Sequence, residues 1–153
     1  MKKILYIMIL IIPILFAGYD ASAMREENVI YARARVLPVL KYSVIHQESS
    51  INITKADLEK GYLDVNRALI LSIKTNSANG YSLSLFVDSN LFNGVTLFNG
   101  NNSYRFTESG GEVHMPFQGL NPVRKELSFR LYFAADLKPG HYQWPVSVMI
   151  NAM

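Results

Sequence analysis

Apolar and polar residues alternate one by one through most of this chain, a spacing that suits an extended backbone and defeats a helix. Leu69, Leu71 and Ile73 share one face of residues 68–75, against Ser72 and Lys74. Tyr81, Leu83, Leu85 and Val87 do the same against Ser82 and Ser84, as do Leu127, Phe129, Leu131 and Phe133 against Ser128, Arg130 and Tyr132. After Pro139-Gly140 the row Tyr142, Trp144, Val146, Val148 and Ile150 runs almost to the end. Side chains in a strand point to opposite faces in turn, so such rows predict half-buried antiparallel strands. Shorter candidates are residues 30–37, 39–46, 61–65, 95–98, 103–106 and 111–116. Asn79-Gly80 predicts a tight hairpin turn joining residues 68–75 to 81–87. About nine strands with frequent turns imply an all-β chain, with an antiparallel β-sandwich as the expected architecture. The exception is Thr54 to Gly61, where a capping threonine, Asp57 three residues on and a terminal glycine predict one helical turn.

The first 23 residues read as a secretory signal peptide. Lys2 and Lys3 precede an apolar run over residues 4–16, and Ala21-Ser22-Ala23 offers the small-x-small cleavage pattern. Thirteen apolar residues fall short of the roughly 20 that span a bilayer, so no membrane span is expected after cleavage. Export to the periplasm or cell surface is the expected localisation. The remaining 130 residues (153 less 23) suit one domain, residues 24–153. Two lysines and one aspartate leave with the leader, so the formal charge falls from +3 to +2, 13 basic against 11 acidic. The cations are scattered, and no nucleic-acid partner is expected. The chain has no cysteine. An exported domain without disulfides depends on its core, or on a partner that completes it.

No arrangement of residues here suggests an enzyme. There is no zinc-binding H-E-x-x-H, no G-x-S-x-G and no glycine-rich phosphate loop. His46, His114 and His141 are far apart, and Asp57, Glu59 and Asp64 are interleaved with lysines, as in a solvated turn. Neither a metal nor another cofactor is expected. Among the aromatics, Phe129, Phe133 and Trp144 fall in the inward register and belong to packing, whereas Tyr132 and Phe86 fall outward and are candidates for a contact surface.

The opening pair of extended stretches, the segment Ile53-Thr54-Lys55-Ala56-Asp57-Leu58-Glu59-Lys60-Gly61-Tyr62, the turn from Asn76 to Tyr81 and the closing Leu137-Lys138-Pro139-Gly140-His141-Tyr142 come in a familiar order. Together they resemble the spore coat protein U-like family, the pilin subunits of archaic chaperone–usher systems; the proline-glycine-x-tyrosine turn is the sharpest piece. The resemblance implies an immunoglobulin-like sandwich lacking one strand, with a periplasmic chaperone, an usher and like subunits as partners. It implies a structural, adhesive role in a fimbrial fibre, built by donor-strand complementation. Residues 28–37 are the candidate donor, with Ile30, Ala32, Ala34 and Val36 on one face. Leu127, Phe129, Leu131, Trp144, Val146 and Val148 are the candidate acceptor groove. The chain departs from the family in having no cysteine, and Pro145 interrupts its last strand, which requires a bulge or a missing neighbour. The alternative is a self-contained exported β-sandwich that binds a glycan or another envelope protein.

Overall fold

The structure, a computed structural model, describes residues 35–88 and 90–153. The expected signal peptide, residues 1–23, and Ile30, Ala32 and Ala34 of the candidate donor lie outside the described residues.

The all-β, antiparallel expectation holds. The strands are β1 (Leu40–Gln47), β2 (Ser50–Ile53), β3 (Tyr62–Thr75), β4 (Tyr81–Val87), β5 (Phe92–Asn99), β6 (Asn102–Thr107), β7 (Gly111–Met115), β8 (Val123–Phe133), β9 (Gly140–Gln143) and β10 (Val146–Ala152). One sheet has the order β1-β3-β8-β5-β6, a second β10-β4-β7, and β2 pairs with β9. The rows read from the sequence supply the core: Leu71, Ile73, Leu127, Phe129 and Leu131 from the first sheet meet Leu83, Leu85, Val113 and Val146 from the second. The helix α1 (Lys55–Lys60) forms as expected. Thr54 Oγ1 accepts from the Asp57 N–H, and the Asp57 carboxylate accepts from the Thr54 N–H. The Thr54 hydroxyl also donates to that carboxylate, and this bond together with the one from the Thr54 N–H holds the Asp57 pKa below its usual value.

The hairpin expected at Asn79-Gly80 is not one. β3 belongs to the five-stranded sheet and β4 to the three-stranded sheet, so this turn arches across the core. Both strands bury one face whichever sheet they join, so alternation cannot distinguish an arch from a hairpin. Residues 61–65 and 68–75 are also one strand rather than two, interrupted between Val65 and Leu69, where the register to β8 shifts. Arg67 has φ of 52° there, and its N–H donates to Ser128 Oγ at 2.9 Å.

The two sheets meet along one side. β6 passes into β7 through the Thr107–Gly110 bridge, and the Phe106 ring covers Gly111. The opposite side is bordered by β1 and β10.

Candidate functional site: an open edge between β1 and β10

Cross-strand partners point to the same face of a sheet. Tyr42 lies opposite Ile73 and Val44 opposite Leu71, and both partners are buried in the core. Tyr42 and Val44 thus face inward, yet they remain 53% and 51% exposed. Inward-facing apolar side chains that are half in water mark a place where, among the described residues, the core lacks a covering strand.

The other border shows the same vacancy in its backbone. Successive residues of a strand turn their N–H and C=O groups to opposite edges. The Trp144 N–H donates to Ser49 O at 2.9 Å, whereas Pro145 O accepts from the Asp88 N–H at 3.0 Å. Even-numbered residues of this final stretch therefore face away from β4. Gly140, Tyr142 and Trp144 spend those groups on β2 and the residue before it. Beyond them Val146, Val148, Ile150 and Ala152 face the same edge, where no strand pairs with β10 among the described residues. Val146 and Ile150 are buried and Val148 is half-buried, all inward.

Pro145 sits at the break between β9 and β10. Its missing N–H would have met Asp88 O, which instead accepts from Leu91 at 3.2 Å and Phe92 at 3.0 Å. The proline thus ends one ladder and starts another without leaving that carbonyl unpaired.

One end of the opening is fastened by the β3–β4 turn. The Asn76 side chain accepts from the Val39 N–H and donates to Leu37 O at 3.1 Å, and Ser77 Oγ donates to Met153 O. Tyr81 lies close by, opposite Ala152, only 4% exposed, and its hydroxyl has no hydrogen-bond partner. Burial pushes its pKa up to about 12. The folded protein therefore keeps Tyr81 neutral while the unfolded chain ionises near pH 10. Stability from this group is intact below about pH 9 and falls between about pH 10 and 12. Tyr81→Phe should remove that alkaline loss, and should leave the protein at pH 7 as stable or about 1 kcal/mol more stable, since a solvent-starved hydroxyl is deleted. Paired chemical-denaturation curves at pH 7 and pH 11 measure both effects.

Of the residues expected in the groove, Val146 and Val148 line the open edge. Trp144 stands at its closed end, edge-on to Phe129 with ring centroids 5.5 Å apart. Leu127, Phe129 and Leu131 are fully buried on β8, with β3 between them and β1. Val36 is 78% exposed and lies outside any strand. Residues 39–46 read as a short extended stretch, which marked β1 as a strand but gave no sign that its inward face would be uncovered.

The Tyr142 hydroxyl donates to Lys138 O at 2.7 Å, four residues back. Such a tie at a strand-entry corner is a recurring device of immunoglobulin-type sandwiches.

Among the described residues, no three of the His, Asp and Glu side chains gather as metal ligands. His46 Nε2 lies 3.3 Å from Glu48, at the surface. Partial burial lowers the Lys125 pKa, and the Asp64 carboxylate raises that of Arg130. No described helix is long and apolar enough to cross a membrane. Comparison with protein-family models, with curated proteins and with solved structures returns no match.

Proposed function

We propose that this protein is an exported, non-enzymatic structural subunit, an immunoglobulin-like sandwich one strand short that assembles into a surface fibre by strand addition. The observation that carries the reading is the pairing of a β10 backbone edge unfilled among the described residues with the half-exposed inward side chains Tyr42 and Val44. An incoming strand would gain main-chain hydrogen bonds along Val146 to Ala152 and would cover those side chains. Covering half of each is worth roughly 1 kcal/mol per side chain. An exposed edge of this kind invites pairing with other chains, so a periplasmic chaperone is needed to occupy it before assembly at an usher. The Tyr142 corner adds support for the immunoglobulin-like form.

The donor in this reading is residues 28–37 of a like subunit. Their deletion should leave a protein that stays monomeric, and that folds stably only with a chaperone or an added peptide of that sequence. Size-exclusion chromatography and gel laddering give the readout, and polymers formed by the truncated protein would remove the donor assignment. A self-contained domain would instead purify alone as a monomer with one cooperative melt. Phe86 and Met149, both more than half exposed on the outer face of the β10-β4-β7 sheet, are the observation that favours that second reading, as a docking patch for an envelope protein.

A further inference from the structure

The outer face of the five-stranded sheet carries a charge excess that the open edge does not use. Its strands place six cations there, Lys41, Arg67, Lys74, Arg105, Arg124 and Arg130, against two carboxylates, Asp64 and Glu126. That is +4 on one face of a chain whose whole formal charge is +3. The strands of the other sheet carry a single carboxylate, Glu112, and no Lys or Arg.

The carboxylates on this face are fully engaged. Asp64 takes Arg130 in two parallel bonds of 2.7 and 2.9 Å, and Glu126 takes Arg67 and Arg124, each at 3.0 Å. Lys41, Lys74 and Arg105 have no acidic partner among the described residues. Lys41 and Lys74 stand directly opposite each other across β1 and β3, an arrangement of like charges that costs stability. Arg105 is held in place all the same, its guanidinium 4.5 Å from the centroid of the Tyr132 ring. Five strands spaced about 4.8 Å apart spread these charges over roughly 19 Å across the sheet.

We propose that this face binds an extended anionic polysaccharide. Its rows of cations meet a polymer's repeated carboxylates, and the exposed Ser103 and Thr107 supply hydroxyls between them for sugar hydroxyls. A single-stranded nucleic acid would need bare rings for its bases, but Arg130 covers Tyr62 at 4.2 Å and Arg105 covers Tyr132. A membrane would need protruding apolar side chains among the cations, whereas Phe98, which shares this face with Ser103 and Ser128, is half-buried with the Arg130 guanidinium 5.9 Å from its centroid. This surface is distinct from the β1–β10 opening, so either idea can fail without the other.

The test is binding of the full chain to immobilised polygalacturonate at 0.15 M salt. Lys41→Gln, Lys74→Gln and Arg105→Gln together should weaken binding at least tenfold. An equal charge change in turns and in α1, Lys55→Gln, Lys60→Gln and Lys138→Gln, should weaken it less than twofold. Arg105→Gln alone, a change at an exposed side chain, should give a measurable part of the loss and guards against misfolding of the triple variant. Equal losses from the two triple variants, no retention of the unaltered protein, or competition by neutral dextran, duplex DNA or phosphatidylglycerol vesicles as effective as that by free polygalacturonate would each overturn the proposal.

Discussion

Val148→Pro should fold and fail to assemble, whereas Met149→Pro, one residue on, should fail to fold. The two substitutions separate because neighbouring residues of β10 turn their backbone groups to opposite edges. The N–H of Met149 faces β4, opposite Ser84, and proline there breaks the protein's own ladder. Stranding a buried carbonyl and displacing a strand costs about 3 kcal/mol, while the Met149 side chain, half exposed, loses little packing. The N–H of Val148 faces the unfilled edge. Proline is tolerated on such an edge, so the domain should lose no more than about 1 kcal/mol. An incoming strand, however, would lose a central hydrogen bond and meet the proline ring. One lost bond of about 1.4 kcal/mol is already tenfold in association. Circular dichroism reports the fold and electron microscopy or gel laddering the polymer. Normal polymer from Val148→Pro would show that β10 does not receive the donor.

Gly80→Ala is expected to be, with Gly110→Ala, the most damaging glycine-to-alanine change among the described residues. Gly80 closes the arch between the sheets with φ of +82°, and its N–H donates to Ser77 O at 3.0 Å. An alanine Cβ would lie 2.0 Å from Met115 O and 3.0 Å from the Phe117 N. The left-handed backbone costs about 1–2 kcal/mol, and relieving the overlap by moving β7 costs about 1–3 kcal/mol more. Gly61→Ala is the control. It has nearly the same φ, +80°, but open space around the site, so only the backbone cost of about 1–2 kcal/mol should appear. Urea denaturation of the pair measures both. Equal losses would mean that the arch yields freely.

The strands were legible because burial on one face imposes a period of two. The cap at Thr54 and the stop at Gly61 were legible because both satisfy local backbone groups. Which sheet each strand joins was not, since Leu83 and Leu85 read the same whether the arch at Gly80 crosses the core or folds back as a hairpin. The break at Pro145 was visible, but its resolution by Leu91 and Phe92 donating to Asp88 O depends on a contact more than fifty residues away. The open edge was half legible. Val146 and Val148 stood out as an apolar row, but Tyr42 and Val44 look from sequence like any inward pair, and only their exposure in the assembled sheets distinguishes them. The cationic outer face was missed for a related reason. Lys41, Lys74 and Arg105 are far apart along the chain, and only the register of β1, β3, β8, β5 and β6 sets them on one surface.

The short β2 has a mechanical consequence. By occupying the run from Gly140 to Trp144, it stops the unpaired stretch of β10 at Val146. A guest pairing along β10 can advance towards β9 only until it strikes Ser49. Insertion depth would then be set by a hard stop and not by affinity alone, so every junction built on this edge would have the same length.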